Sequence, residues 1–304
     1  MDAVEQVHMI QSEVRAFMLE RRSRGLSQTT MAYYYSELGL FERWAQVREL
    51  SDVETITPND LRAYLLYLED ERHRNKGGVQ DAWRAVRAFF RWFEDEYDPT
   101  DWRNPIRRVQ PPRRPHEPIT GIGLGNVSKL LATCDGSYFG LRDAAMFLSL
   151  IDSGLRIGEL AQLNIGDVDM RSGTVIVRHG KGDKEREAFL SAKSLRAISK
   201  YLRMRSDADF EQPLFSTREG GRLSRSALTK ILHKHGDLAG IKPGGWHNFR
   251  RTYALEMLRD GTDVVSLARL LGHSDTSLVM LYAKQTETDL QKVAARHSPV
   301  DHLR

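Results

Sequence analysis

Two histidines, an arginine and a tyrosine near the end of the chain have the types and spacing that acid–base and nucleophilic chemistry requires. His247 and Arg250 lie three residues apart at the start of a helical pattern, so their side chains share one face of that helix. His273 follows a glycine that breaks the next amphipathic run, and Tyr282 lies in the helix after that turn. A histidine can transfer a proton, an arginine can bind an anion, and a tyrosine can act as a nucleophile.

Each of these residues also has a more ordinary interpretation when it is taken alone. A tyrosine on an apolar helix face usually lies in a core with its hydroxyl hydrogen-bonded. A histidine and an arginine at helical spacing are commonly a solvated or capping pair. The two histidines have no carboxylate or thiol at ligand spacing, so the sequence predicts no metal site. The interpretation therefore depends on whether the rest of the chain supplies matching groups.

Two cationic residues upstream, Arg156 and Lys181, are candidates for phosphate contacts. Arg156 lies in the stretch SGLRIGEL, in a glycine-bounded turn between two predicted helices, and Glu159 can hold its guanidinium group. Lys181 lies at or near the tip of a hairpin predicted from strands at 174–178 and 184–190. Taken alone, Arg156 is a structural arginine and Lys181 a solvated lysine. The Gly-Lys-Gly sequence is not a nucleotide-binding loop, because the first glycine and the Ser or Thr of the Walker pattern are missing.

The elements that must position these groups are mainly helical. Residues 8–97 are predicted to form four helices, with Thr57 and Pro58 opening the third and Gly77 and Gly78 separating it from the fourth. The aromatic residues of the fourth helix repeat on an apolar face, which predicts a core rather than a base-stacking surface. A helical bundle of about 90 residues can stand as a domain. The second half of the chain is predicted to hold further helices around the one hairpin.

A basic, proline-rich segment separates the two halves. Residues 102–116 read WRNPIRRVQPPRRPH, with five arginines, four prolines and no acid. Proline predicts an extended backbone there, and clustered arginines favour a polyanion such as DNA. A solvated linker is the alternative. The candidate DNA contacts in this segment are Arg103, Arg107, Arg108, Arg113 and Arg114.

Composition places limits on the class of protein. The chain has 304 residues, 40% of them apolar and 28% charged, which is ordinary for a folded protein. A net charge of +4 and a sequence pI near 9.1 favour an anionic partner. A single cysteine, Cys134, excludes an internal disulfide and is typical of a reducing compartment. The acidic N-terminus does not resemble a signal peptide and no apolar run is long enough to span a bilayer, so we expect a cytoplasmic, nucleoid-associated protein without a membrane partner.

The ordered motifs SGLRIGEL, GKGDKEREAFL, HNFR and LLGHSDTSLVMLY together resemble the tyrosine recombinase (phage integrase) family, in its short, Xer-like form. The resemblance covers most of residues 119–290. It departs from the family pattern at Arg251, where histidine is frequent, and at Gly158, where serine is frequent. The fold it implies is mainly α with a small antiparallel β-sheet in the catalytic domain, that is, an N-terminal helical bundle followed by an α+β catalytic domain. The implied domains are a core-binding domain at 1–102, a basic linker at 103–118 and a catalytic domain at 119–304, ending in an exchange tail at 286–304.

The resemblance also implies a function and the residues that perform it. The expected enzyme is a site-specific DNA recombinase that works through a 3′-phosphotyrosyl intermediate and a Holliday junction, without metal, ATP or other cofactor. Its expected partner is double-stranded DNA, on which it forms a homotetramer, and the free protein is expected to be a monomer or weak dimer. Carried over by motif, the catalytic residues are Arg156, Lys181, His247, Arg250, His273 and the nucleophile Tyr282, with Glu159 in support.

Two other functions remain possible at this point. A type IB topoisomerase uses similar chemistry but lets one strand rotate before resealing it. A DNA-binding protein without catalysis can be built on the same fold. We expect such a protein to lack at least one of the six catalytic groups, and the sequence contains all six.

Overall fold

The chain folds into two units, which we describe separately. In the computed structural model, contacts divide it into residues 1–116 and 117–304. The structure describes residues 8–113, 120–178, 185–206, 208–272 and 277–283. Within them the chain is mainly helical, with one two-stranded antiparallel sheet in the second unit. The predicted fold class is therefore confirmed.

The first unit is a bundle of four helices whose starts follow from local sequence. The helix opened by Pro58 has a capping box, in which Thr57 and Asp60 satisfy each other's backbone amides. Ser27 caps the preceding helix through the amide of Thr30. The helices are α1 (Ile10–Ser23), α2 (Gln28–Val47), α3 (Pro58–Asp70) and α4 (Lys76–Tyr97).

The prediction that Gly77 and Gly78 separate two helices is wrong, because both lie in the first turn of α4. Asn75 is the N-cap, and its side-chain oxygen accepts a hydrogen bond from the amide of Gly78 at 2.8 Å. Glycine costs about 1 kcal/mol in a helix interior. The first-turn amides have no intrahelical partner in any case, and the asparagine cap satisfies one of them. The cap therefore offsets the poor helix propensity of the glycine pair.

The aromatic residues of α4 form the centre of this unit, as predicted. Phe89, Phe90 and Phe93 are fully buried, and they pack with Phe17 of α1 and Phe41 of α2. Edge-to-face ring pairs of this kind add to the stabilisation that burial alone gives.

The start of the basic segment is folded rather than extended. Residues Pro105–Arg108 form a short 3-10 helix, and Ile106 and Val109 are buried in the core of the first unit. Asn104 is also buried; its amide group donates to Phe90 O and Glu94 Oε2, and its oxygen accepts from Ile106 N. The sequence predicted an extended strap because its prolines disfavour an α-helix. A proline at the first position of a 3-10 turn loses no hydrogen bond, so the segment can close one turn onto the bundle.

The second unit contains eight α-helices and one hairpin among its described residues. A helix buried on most sides, α6, packs against α5, α8 and α10. Smaller helices follow it along the chain and form the surroundings of the candidate site. The elements are α5 (Leu124–Ala132), α6 (Tyr138–Ser153), α7 (Ile157–Gln162), a 3-10 turn (Ile165–Asp167), β1 (Thr174–Val177), β2 (Arg186–Phe189), α8 (Ala192–Leu202), α9 (Arg225–Leu238), α10 (His247–Arg259), α11 (Val264–Leu271) and α12 (Ser277–Ala283).

Strands β1 and β2 form the predicted hairpin. Thr174 pairs with Phe189 and Val177 pairs with Arg186 in antiparallel register. Val175, Val177 and Ala188 face the core. Of the residues between the strands, 179–184 lie outside the described part of the chain. No helix in the described part is long and apolar enough to cross a membrane.

Candidate active site

Arg156 occupies the turn between α6 and α7, as the sequence predicted. Helix α6 ends at Gly154, which adopts a left-handed conformation with φ of +62°. Arg156 is the N-cap of α7, and Glu159 accepts its backbone amide at 2.8 Å and its Nη1 at 2.6 Å. The predicted pairing is therefore present, while the role of both residues in catalysis stays a prediction. The Arg156 side chain is still 29% exposed, so an anion can reach it.

Arg250 is buried and is held by backbone carbonyl groups instead of a carboxylate. Its Nη1 donates to Gly154 O at 2.7 Å, and its Nη2 donates to Leu271 O at 2.5 Å. Burial lowers the pKa of Arg250 to about 10, and the like charge of Arg156 acts in the same direction. The carbonyl groups orient the guanidinium but do not neutralise its charge. Arg250 is therefore a preorganised cation that joins the ends of α6 and α11.

Arg186, on β2, is part of the same cluster, and the sequence analysis missed it. Its Nη2 donates to Glu159 Oε2 and its Nη1 donates to Leu270 O, both at 2.8 Å. One signal was available: Arg186 shares a strand face with Ala188, and an arginine on a buried face needs a partner. The partner, however, depends on how the hairpin packs against α7 and α11, which no local pattern shows.

Glu159 is the one carboxylate in direct contact with these arginines, among the described residues. Burial acts to raise the pKa of Glu159. The charge of Arg186, the amide of Arg156 and the hydrogen bonds from both guanidinium groups outweigh burial and hold the pKa below its ordinary value. Glu159 is therefore ionised at neutral pH and binds two cations at once.

His247 is the first residue of α10 and remains exposed. Partial loss of solvation lowers the pKa of His247, and the positive charges of Arg251, Arg250 and Arg156 lower it further. The ring therefore stays neutral, and able to accept a proton, down to a lower pH than the ring of a free histidine does. Its position on α10 places it one helical turn from Arg250.

Tyr282 lies on α12 and is buried against α10 and α11. It belongs to a small apolar cluster with Tyr253, Leu267 and Leu271. Tyr282 is also among the groups whose charge acts on the pKa of Arg250, together with Arg156, Glu159 and Arg186. The structure thus brings four of the six predicted catalytic residues into one region. The other two, Lys181 and His273, lie outside the described residues.

The candidate DNA-contacting arginines of the basic segment differ in their surroundings. Arg103, Arg108 and Arg113 are exposed. The guanidinium of Arg107 makes three hydrogen bonds to the carboxylate of Glu94, at 3.0 to 3.2 Å. Arg107 is therefore already paired, which reduces the charge it can offer to a phosphate. The remaining candidate, Arg114, lies outside the described residues.

No group of three metal-ligating side chains exists within the described ranges. His235, which is buried, instead pairs with Asp143 at 3.1 Å and contacts the hydroxyl of Thr133 at 2.6 Å. These contacts satisfy the ring within the core of the second unit.

Comparison with known proteins shows which family the chain belongs to. Residues 124–289 match the Phage integrase family, and residues 14–98 match the N-terminal SAM-like domain of phage integrases. Tyrosine recombinase XerC of Pelobacter propionicus is 30% identical over 295 residues, covering 95% of this chain and 96% of that protein. Tyrosine recombinase XerD of Listeria monocytogenes is 30% identical over 284 residues, covering 91% and 94%. The chain therefore belongs to the phage integrase family of tyrosine recombinases.

Members of this class break and rejoin DNA in site-specific recombination, and this chain is such an enzyme.

Solved structures support the fold. A lambda integrase dimer bound to a COC′ core site has a TM-score of 0.74 at 16% identity, covering 93% of this chain and 79% of that one. XerH recombinase bound to a palindromic difH substrate has a TM-score of 0.71 at 17% identity, covering 95% and 84%. At these identities the two likenesses show the fold alone.

The close approach of Gly272 to Arg186 can be tested with a matched glycine pair. Gly272 and Gly240 both have φ of +64°, so alanine adds the same kind of backbone strain at each, about 1 to 3 kcal/mol. A Cβ at Gly272 would lie 2.4 Å from Arg186 Cδ, whereas one at Gly240 has nothing within 4 Å. We expect Gly272→Ala to lower the free energy of unfolding by about 1 to 3 kcal/mol more than Gly240→Ala. Thermal unfolding followed by circular dichroism measures this difference, and equal losses would contradict the contact.

Proposed function

We propose that the chain cleaves and rejoins DNA through a covalent bond between Tyr282 and the 3′-phosphate of the broken strand. The phenol oxygen forms a bond to phosphorus while the bond from phosphorus to the 5′-oxygen breaks. The observation that carries this proposal is the cluster of Arg156, Arg250 and His247 near Tyr282, with both arginines held by fixed hydrogen bonds. The reverse attack by a 5′-hydroxyl restores the diester.

Arg156 and Arg250 neutralise the charge that grows on the non-bridging oxygens in the transition state. Each guanidinium group can meet two oxygens with its planar fork. Because both are already oriented, by Glu159 and by the carbonyls of Gly154 and Leu271, little reorganisation is needed during the reaction. One preorganised donor of this kind contributes roughly 3 to 4 kcal/mol to transition-state stabilisation.

Proton transfers complete the reaction. A free phenol has a pKa of about 10 and must lose its proton as it attacks. His247 is the acceptor in this proposal, and its lowered pKa keeps the ring neutral for that purpose. Lys181 donates a proton to the departing 5′-oxygen, and His273 hydrogen-bonds the phosphate; both assignments rest on their place in the family motifs.

The mechanism requires neither a metal nor a nucleotide cofactor. The arginines supply the positive charge that a bound cation supplies in metal-dependent phosphoryl transfer. The phosphotyrosyl bond conserves the energy of the broken diester, so that rejoining needs no ATP. The net result is exchange of DNA strands, without hydrolysis of the phosphodiester.

Assembly on DNA is the wider part of the proposal. A lambda integrase tetramer bound to a Holliday junction shares this fold, with a TM-score of 0.74 at 16% identity. We infer that this chain also acts as a homotetramer on double-stranded DNA and exchanges strands through a Holliday junction, in the cytoplasm at the nucleoid. In this assembly residues 1–102 and 119–304 bind DNA as two domains joined by the linker at 103–118, and the tail at 286–304 contacts a neighbouring protomer.

The nucleophile is tested by removing one oxygen. Tyr282→Phe should leave DNA binding unchanged and abolish the covalent protein–DNA adduct, because the ring still packs on α10 and α11 but cannot attack. A denaturing gel after incubation with a nicked suicide substrate measures the adduct, and a gel-shift titration measures binding. Tyr253→Phe is a matched control on the same apolar cluster and should keep the adduct. An adduct formed by Tyr282→Phe would mean that another residue is the nucleophile.

The charge-neutralising role of the arginines gives a second test. Arg156→Lys should reduce the rate of adduct formation by roughly a hundred- to a thousandfold, because a point charge cannot contact two oxygens at once. The wild-type rate should be the same with and without excess EDTA. A wild-type rate that EDTA abolishes, with DNA binding intact, would contradict the metal-independent mechanism.

The basic segment predicts a graded salt dependence of DNA binding. Replacing Arg108 and Arg113 with alanine should flatten the plot of log affinity against log salt by up to about 0.9 for each phosphate that the variant no longer neutralises. Arg107→Ala should change this slope less, because Glu94 already pairs with that guanidinium. Fluorescence anisotropy titrations at several salt concentrations measure the slopes. Equal slopes for wild type and the Arg108/Arg113 variant would show that these arginines do not contact phosphates and that the segment is only a linker.

A further inference from the structure

Arg186 is a buried charge to which the proposed reaction assigns no role. Its side chain is only 11% exposed on β2, and all its hydrogen-bond partners among the described residues come from other elements. Its Nε is buried and has no hydrogen-bond partner within the described part of the chain. An unsatisfied buried donor of this kind destabilises the fold. Apolar residues in place of a whole buried ion-paired group are often as stable or more so, which makes fold stability a poor explanation for keeping charges here.

The contacts of Arg186 link the elements that carry the proposed catalytic groups. Through Glu159 it reaches α7, where the same carboxylate holds Arg156. Through Leu270 O it reaches the end of α11, where Arg250 binds the next carbonyl, that of Leu271. Two guanidinium groups from different elements thus bind adjacent carbonyls at one helix terminus. A cation is also electrostatically favourable at that end of a helix.

Arg186 also makes the net charge around Arg156 and Glu159 more positive. A carboxylate beside Arg156 orients it but cancels much of the positive charge that a phosphate needs. Arg156 and Arg186 contact the carboxylate, and Arg250 adds a third charge without contacting it, so the three guanidinium groups and one carboxylate leave two positive charges in excess. Without Arg186 the carboxylate would have Arg156 as its one remaining cationic contact among the described residues. Glu159 would then compete with the phosphate for that guanidinium.

We propose that Arg186 is a positioning residue for phosphoryl transfer. It engages Glu159 so that this carboxylate orients Arg156 without neutralising it, and it fixes the end of α11 beside Arg250. The proposal rests on the proposed function, since it assumes that Arg156 stabilises charge on the non-bridging oxygens of the scissile phosphate. Arg186 itself need not touch the DNA.

The first measurement separates cleavage from binding. Arg186→Gln should slow single-turnover adduct formation on a suicide substrate by roughly 10- to 100-fold, the loss typical of a misplaced catalytic group. Its affinity for the same DNA should stay within about threefold, because few phosphate contacts change. Arg178→Gln is the matched control; it removes an exposed arginine that follows β1 and pairs with Asp167 at 2.7 Å. The control should cleave at the wild-type rate, and equal cleavage by Arg186→Gln would overturn the proposal.

A methylphosphonate substrate separates positioning from a merely structural role. Replacing one non-bridging oxygen with a methyl group makes the scissile group neutral, so it needs less cationic stabilisation. Arg156→Gln should lose less activity on this substrate than on the normal phosphate, with each diastereomer measured separately. If Arg186 acts through Arg156, Arg186→Gln should show the same smaller defect. A defect of equal size on both substrates would mean that Arg186 only supports the fold.

The same substrate distinguishes failure of this inference from failure of the proposed function. If the Arg156→Gln defect shrinks on the methylphosphonate and the Arg186→Gln defect does not, the inference alone is overturned. If neither defect shrinks, the assumed role of Arg156 is wrong and the inference falls with it. Arg186→Lys covers the case in which the glutamine variant does not fold. It keeps the charge but cannot bridge Glu159 and Leu270, and it should show a milder defect with the same dependence on substrate.

A double-mutant cycle tests the route through Glu159. Because Arg186 is proposed to act on Arg156 by holding this carboxylate, Glu159→Gln combined with Arg186→Gln should lose little more activity than the worse single variant. Rates of adduct formation on the normal substrate give the coupling. Losses that multiply would show that the two residues act independently, and would overturn the positioning route.

Discussion

The shared carboxylate of Glu159 is the interaction on which the candidate site depends. A carboxylate that is removed from water must be paired, and here two guanidinium groups and one backbone amide satisfy it. Its three donors come from the α6–α7 turn and from β2. The need to pair one buried charge therefore fixes the hairpin against α7. The same carboxylate orients Arg156.

The two proposed phosphate-binding arginines are oriented by different means. Arg156 is held by a full negative charge, whereas Arg250 is held by the carbonyls of Gly154 and Leu271. The carbonyl dipoles fix the direction of the Arg250 guanidinium but do not cancel its charge. That charge is therefore buried without a counter-ion in contact, and burial lowers the pKa of Arg250. Carboxylate pairing avoids that cost but needs a further cation to restore the balance of charge. Arg186 is this further cation, since it binds the same carboxylate.

The sequence predicted local contacts better than contacts that depend on packing. Pairing of Arg156 with Glu159 was predictable because residues three apart meet at a helix start, and the opening of α3 by Thr57 and Pro58 follows similar local rules. The contacts of Arg186 were not predictable, because they depend on how β2 packs against α7 and α11. The folded turn at Pro105–Arg108 was missed for the same reason: proline disfavours a long helix, but the apolar surface of the bundle accepts one turn.

Helix ends supply the remaining constraint, since the last carbonyls of a helix have no partner within it. Gly154 and Gly272 end α6 and α11 in left-handed conformations that turn the chain sharply. At these ends the carbonyls of Gly154, Leu270 and Leu271 accept hydrogen bonds from arginine side chains. An arginine in this position satisfies the helix and is oriented by it at the same time. The carbonyl groups at the helix ends, which are hard to satisfy within the fold, thus orient the positive charge of Arg250.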